Sequence, residues 1–259
     1  MRQWINAVGI ALCAVALFTA TPSSQLPTGE GGLPGGDPRP APPPPPVHPR
    51  DLSGYWILPP DPYDGRNIPD AALVPGVTRQ KLAEVAARDK EAVRFCNQVG
   101  LPMAMGLGTP YNIRLNPHFM VVLTEYSAAQ NRMIYFDRKE HISDEAYDRG
   151  VYGDSIGHWE GNTLVVDTTM FLPDHGILSI PGGGFRTATS HLVERFQLLK
   201  NGQVLQLVST WTDPNVFKSP HTYEYRYNRM PRDYEGRLGT GCDPYDADRV
   251  AFLSKAKPF

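Results

Sequence analysis

Cysteine is scarce: Cys13, Cys96 and Cys242 are the only three in 259 residues. That excludes a disulfide-dense scaffold and the paired-cysteine spacings of structural zinc sites. Charge is sparse as well, at 20% of residues, with 25 Lys and Arg against 27 Asp and Glu. The resulting net charge of −2 leaves no broad basic surface for nucleic acid or an anionic membrane. A chain this low in charge is not held open by self-repulsion. No apolar run reaches the ~20 residues a membrane-spanning helix needs. Missing too are a His-Glu-x-x-His helix, a Gly-x-Ser-x-Gly elbow, a phosphate loop and a dinucleotide fingerprint. No organic cofactor and no metal is expected.

What the chain does have begins at its N-terminus. Arg2 precedes an apolar run from Ile5 to Ala20, and Thr21-Pro22-Ser23-Ser24 follows. This is the plan of a secretory signal peptide over residues 1–20, with cleavage near Ala20 to Ser23. The expected location is periplasmic or secreted, with no membrane insertion of the mature domain. Cys13 follows Leu12, which is too bulky for the residue before a lipidated cysteine. Residues 21–50 hold eleven prolines, five of them consecutive at Pro42 to Pro46. Such a stretch buries no core and reads as a disordered, partly polyproline linker. After export Cys96 and Cys242 remain, and an oxidising compartment favours one disulfide between them. The chain-entropy model credits a loop of that length with about 4–5 kcal/mol.

Residues 51–259 are expected to form a single domain. One amphipathic helix is signalled, capped by Thr78, with Leu82, Val85, Ala86 and Val93 at helical spacing through Phe95. Strand patterns dominate the rest: 55–58, 111–115, 119–126, 132–136, 155–160, 163–171, 191–199, 203–211 and 222–227. The fold class is therefore all-β and mainly antiparallel. It is either a lipocalin-like barrel or a β-sandwich of about 8–9 strands. The run Pro181-Gly182-Gly183-Gly184-Phe185 falls between strands and suggests a flexible loop over a barrel mouth.

Two hairpin turns fix register. At Asn201-Gly202, Lys200 faces Gln203, Leu198 faces Leu205 and Phe196 faces Leu207. One face then carries Leu192, Phe196, Leu198, Leu205, Leu207 and Trp211, together with Glu194 opposite Ser209. That face must be buried, so Glu194 projects into an apolar layer. Such a carboxylate suits a general acid or base lining a cavity, and equally one satisfied by an arginine or tyrosine in the core. At Gly161-Asn162, His158 faces Val165 and Ile156 faces Asp167. His158 and Asp167 thus share a face, diagonally placed, which suits an Asp-oriented histidine base. Trp159, Leu164, Val166 and Met170 occupy the other face. If that face is the core side, the His158–Asp167 pair is solvated.

Further residues suggest a ligand wall. Tyr223, Tyr225 and Tyr227 alternate with Thr222, Glu224 and Arg226, and with Trp159 and Trp211 they offer apolar bodies with polar tips. His158 and Glu160 are spaced to reach a metal together with His118, His141 or His175, but no compact ligand motif supports one. Glu125 and Arg132 are expected to pair across a four-residue loop, 127–130.

The segment Gly153-Asp154-Ser155-Ile156-Gly157-His158-Trp159-Glu160-Gly161-Asn162-Thr163-Leu164-Val165-Val166-Asp167-Thr168 resembles one carried by a large group of exported, largely uncharacterised bacterial proteins. Asp51-Leu52-Ser53-Gly54-Tyr55-Trp56, Arg132 through Arg138 and Thr212-Asp213-Pro214 are similar to that group too. The resemblance spans about residues 51–227 and implies export, with no activity or catalytic set to carry over. Gly54-x-Trp56 before a meander is also similar to lipocalin-like barrels.

Two functions fit these observations. One is a barrel that binds a small apolar or aromatic molecule, with Trp159, Trp211, Tyr223, Tyr225 and Tyr227 at its wall. The other is a cofactor-independent enzyme of isomerase, cyclase or lyase type, using His158, Asp167 and Glu194. They separate on whether His158 and Glu194 face one cavity. Oligomeric state is not legible.

Overall fold

Nine segments carry the period-two alternation, and the computed structural model forms all nine as strands. It describes residues 48–60, 65–94, 99–126, 131–144, 147–231, 234 and 236. The expected signal peptide, the expected linker up to residue 47 and all three cysteines lie outside the described residues, so the expected disulfide does too.

The strands are β1 (Gly54–Ile57), β2 (Arg66–Asn67), β3 (Tyr111–Leu115), β4 (Phe119–Thr124), β5 (Arg132–Tyr135), β6 (Asp154–Glu160), β7 (Thr163–Thr169), β8 (His191–Leu199), β9 (Val204–Thr212) and β10 (His221–Arg229). From β3 to β10 each strand pairs with the next in sequence. β1 pairs with both β3 and β10, which closes a nine-strand barrel. β2, which the sequence did not signal, lies beside Glu224 and Tyr225 of β10. All pairings are antiparallel except β5–β6, which meet in parallel at Tyr135 and Ile156. That single parallel step follows a long excursion, residues 136–153, instead of a hairpin.

Gly54 stands beside the closing seam, against Arg229 of β10. Its φ of +132° is a backbone state L side chains rarely adopt. A Cβ there would also sit 2.6 Å from an Arg229 nitrogen. That guanidinium lies over the Trp56 ring, 4.1 Å from its centroid, and donates to the carbonyls of Ser53 and Gly202. One arginine thus ties β1, β10 and the β8–β9 turn at the seam.

Both hairpin registers follow from their turns. Glu160 faces Thr163, His158 faces Val165 and Ile156 faces Asp167. Leu198 faces Leu205, Phe196 faces Leu207 and Glu194 faces Ser209. Positive φ begins one residue early in the second turn, at Lys200, without altering the register. Leu164, Val166, Leu192, Phe196, Leu205, Leu207 and Trp211 fill the barrel interior. Arg132 faces Val122, not Glu125. The β4–β5 connection is wider than four residues, so the expected Glu125–Arg132 pair does not form. Glu125 instead accepts from the Tyr234 hydroxyl.

Helix α1 (Arg79–Arg94) starts as expected, with the Lys81 amide donating to the Thr78 hydroxyl. Its buried face is turned from the apolar stripe. Val85, Asp89 and Ala92 point inward, while Val93 is exposed. Asp89 is buried because its two oxygens accept from the Leu178 and Ser179 amides, replacing lost hydration. The loop after β7 is similarly tied. Buried Arg186 donates to four carbonyls, those of Leu101, Val151, Leu172 and His175. Burial pulls its guanidinium down to about 10. The glycine-rich run beside it is bonded, with Ala71 donating to Gly182 and His221 donating to the Pro181 carbonyl.

Candidate functional site

The catalytic residues expected from sequence do not converge. Glu194 points into the barrel, where Arg132 grips both of its oxygens, one at 3.1 Å. Each side chain is 1% exposed. Arg132 also donates to the Ser155 and Thr168 hydroxyls, which bond each other at 2.9 Å. This is the arginine-satisfied core carboxylate. His158 points outward, because Leu164 and Val166 of the neighbouring strand claim the interior. It meets Glu160 at 3.3 Å. Hydrogen bonds from Arg195 and then His158 hold the Glu160 carboxyl below its usual range. Glu194 and His158 therefore lie on opposite sides of the sheet.

Asp167 does orient histidines, though not His158. Its two oxygens meet His141 Nε2 and His191 Nε2, each at 2.8 Å. His141 Nδ1 continues to Asp154 at 2.9 Å, and Arg138 donates to the other Asp154 oxygen at 2.5 Å. The Thr212 hydroxyl stands 3.5 Å from His191 Nδ1. The result is a hydrogen-bonded chain in which carboxylates alternate with nitrogen groups, Arg138–Asp154–His141–Asp167–His191, on the outer barrel face. His141 can donate to both carboxylates only when both ring nitrogens carry hydrogen. Partial burial pushes the Asp167 carboxyl up, but hydrogen bonds from His191 and His141 outweigh it and hold the group below its usual range. The Asp167 hydrogen bond raises His191 against the opposing effect of burial. Such a chain can hold and pass a proton.

Sequence reasoning placed no role on His191 and gave His141 only a metal option. Strand pairing carries the missed signal for His191: Asp167 faces Val193 on β8, which puts His191 two residues along on the same outer face. His141 carries no such signal, because it arrives on an irregular loop. Among the described residues no group of three His, Cys, Asp or Glu is arranged to hold a metal ion.

The expected ligand-wall residues divide. Trp211 is buried against Phe171 and donates to the Tyr223 hydroxyl at 3.2 Å. Tyr227 is buried and donates to the Met105 carbonyl at 2.6 Å. Burial drives the hydroxyls of Tyr223 and Tyr227 well above their usual range. These three aromatics are barrel core.

Trp159 and Tyr225 each line a groove. The Trp159 groove, about 560 Å³, includes His158, His48, Arg50 and Asn116. Its polar and aromatic groups are already engaged. Arg50 covers the Trp159 ring at 5.5 Å, His48 accepts from the Arg50 amide, and the Asn116 side chain accepts from two amides.

The Tyr225 groove, about 540 Å³, lies between α1, β2, the 3-10 turn Met103–Met105 and the segment 177–181. Ile68, Val93, Met103, Ile177 and Ile180 give it an apolar lining, and Val93 and Met103 are exposed there. Gly106 opens it. A Cβ at 106 would lie 3.0 Å from the Tyr225 hydroxyl. That hydroxyl has no hydrogen-bond partner among the described residues, unlike those of Tyr111, Tyr223 and Tyr227. Burial pushes Tyr225 up to about 12, with Arg66 pulling the other way. The hydroxyl is therefore a donor at any physiological pH.

No family model, curated protein or solved structure matches this chain.

Proposed function

We propose that this is an exported protein, periplasmic or secreted, that binds a small apolar or aromatic molecule in the Tyr225 groove. The observation that carries the reading is that groove: a concave site of about 540 Å³ with apolar walls and one tyrosine hydroxyl that has no partner among the described residues. Sites of this size with few polar groups suit drug-sized ligands. Export rests on the charged start, apolar run and small exit residues of positions 1–23. Membership of the exported bacterial group rests on the Gly153 to Thr168 segment. No described helix is long and apolar enough to cross a membrane. The outer barrel face carries Glu160, Arg195 and Arg226, which suits water better than lipid.

Titration with N-phenyl-1-naphthylamine, a neutral fluorophore, tests the site. Saturable binding is expected, lost in Gly106→Leu, whose side chain grows into the groove beside the Tyr225 hydroxyl. Val93→Trp fills the rim from an exposed helix position and serves as a second blocking variant. Unaltered binding in both, with an unchanged unfolding midpoint, removes this groove as the site.

The acid–base chain on the outer face favours a second reading, an enzyme of isomerase, cyclase or lyase type without organic cofactor. In it His191, oriented by Asp167, exchanges the proton, and neither His158 nor Glu194 is needed. Loss of turnover in His191→Asn with retention in His158→Ala supports that reading, and the reverse pattern ends it.

A further inference from the structure

The polar groups of the Tyr225 groove are not balanced in charge. Arg66 lines it with one hydrogen bond among the described residues, a long 3.4 Å donation to the Gly106 carbonyl. Lys90 lines it with no hydrogen-bond or ion-pair partner among the described residues. The Tyr225 hydroxyl is a free donor beside Arg66. The one carboxylate in the lining, Asp89, is already engaged: its two oxygens accept from Leu178 and Ser179 amides at 2.8 and 2.9 Å. Two cations and one hydroxyl donor therefore converge on an apolar groove, and among the described residues the Gly106 carbonyl, at 3.4 Å from Arg66, is the one acceptor that answers them. Two cations stand against the single Asp89 carboxylate, whose oxygens are taken up by backbone amides, so the lining carries an excess of one positive charge. A ligand would supply the balancing negative charge.

We infer that the groove takes an amphipathic monoanion: an apolar body lying on Val93, Met103 and Ile177, with a carboxylate or like group reaching Arg66, Lys90 and the Tyr225 hydroxyl. The inference rests on the groove being the binding site, and it adds the charge of the ligand. Arg66 presents a planar fork that matches a carboxylate in two-point contact. Lys90 extends from an exposed helix position and supplies a mobile point charge. Tyr225 donates from the groove floor, so the anion sits at the inner end and the apolar body runs toward the exposed Val93 and Met103 rim. A neutral apolar molecule would fill the same walls and offer no acceptor to Lys90, the Tyr225 hydroxyl or the remaining Arg66 donors, which disfavours it against the anion.

A matched pair of probes isolates the charge: 11-(dansylamino)undecanoic acid and its methyl ester, titrated against the full chain by dansyl emission. The acid is expected to bind about tenfold or more tighter than the ester at low salt, a ratio that narrows as salt rises. Arg66→Gln with Lys90→Gln should collapse the ratio toward one and leave ester affinity unchanged. Tyr225→Phe should weaken the acid several-fold and spare the ester. Equal binding of acid and ester overturns the inference and leaves the groove reading standing. So does an acid preference that survives the double glutamine variant. Failure of both probes to bind overturns the groove reading and this inference together.

Discussion

Changing Glu194 to glutamine is the strongest probe of the barrel interior. Arg132 and Glu194 are each 1% exposed and joined at both ends of guanidinium and carboxylate. Glutamine preserves shape and removes the charge. Arg132 would keep its positive charge in the core, held among the described residues by the Ser155 and Thr168 hydroxyls, where its Nε already has no hydrogen-bond partner. Breaking one side of a buried ion pair costs about 3–5 kcal/mol. In a domain of this size each kcal/mol moves the midpoint by about 2–4 °C, so Tm should fall by about 6–20 °C. The assay is urea unfolding followed by tryptophan fluorescence, since Trp56 and Trp211 are fully buried. The m value should be unchanged, so that the loss is one of stability and not of compactness. Arg132→Met with Glu194→Leu is the control. Removing both charges in favour of apolar groups of similar volume should recover most of the loss. A loss below about 1 kcal/mol in Glu194→Gln, or a double variant no better than the single, would refute a dry, mutually dependent pair.

Two further predictions concern the outer face and the helix start. His191 is raised above its usual 6.5, so its contribution is full below that value and fades as pH rises through the folded-state value. Asp167 is held below its usual 3.8, so its contribution is full above that value and fades as pH falls through the folded-state value. The stability difference between wild type and His191→Asn should therefore be largest at about pH 4–6.5 and shrink on both sides. It should stay below about 1 kcal/mol, because the side chains are 40% and 35% exposed. A difference that grows with pH above 7 in chemical-denaturation series contradicts the pairing. Thr78→Ala should cost about 1 kcal/mol by removing the cap on the Lys81 amide, and Thr78→Ser should cost little. Equal loss in both variants would place the role of Thr78 elsewhere.

The barrel was legible where local chemistry decides long-range order. Gly161-Asn162 and Asn201-Gly202 set two registers, and period-two alternation carried those registers along β6 to β9. Glu194 followed at once, since a face holding Phe196, Leu207 and Trp211 has to be inside. Its partner did not follow. Arg132 lies on β5, and β5 reaches β6 by a parallel step across residues 136–153, where no turn fixes register. The helix was placed correctly in the chain but not in rotation. Asp89 is inward because two loop amides need an acceptor, and amides leave no trace in a hydrophobic pattern. His141 was unreadable for the same reason. It comes from a loop whose path is set by Asp154 and Asp167 once the barrel has formed.

Three tyrosines on one strand show how a core becomes a site. Tyr223, Tyr225 and Tyr227 are equivalent by alternation: all point inward from β10, and all are largely buried. Their hydroxyls part company on what each meets. Trp211 engages Tyr223, and the Met105 carbonyl engages Tyr227. Between them Tyr225 faces Gly106, which brings no side chain and leaves the hydroxyl an opening 3.0 Å from where a Cβ would stand. Arg66 from β2 and Lys90 from α1 then border the same opening. The barrel supplies the rigid wall, and the short strand and helix outside it supply the charge. One missing side chain is what separates an open groove here from a third tyrosine of the core. For that reason Gly106→Leu, which leaves every donor in place, tests the site more directly than removal of any residue that lines it.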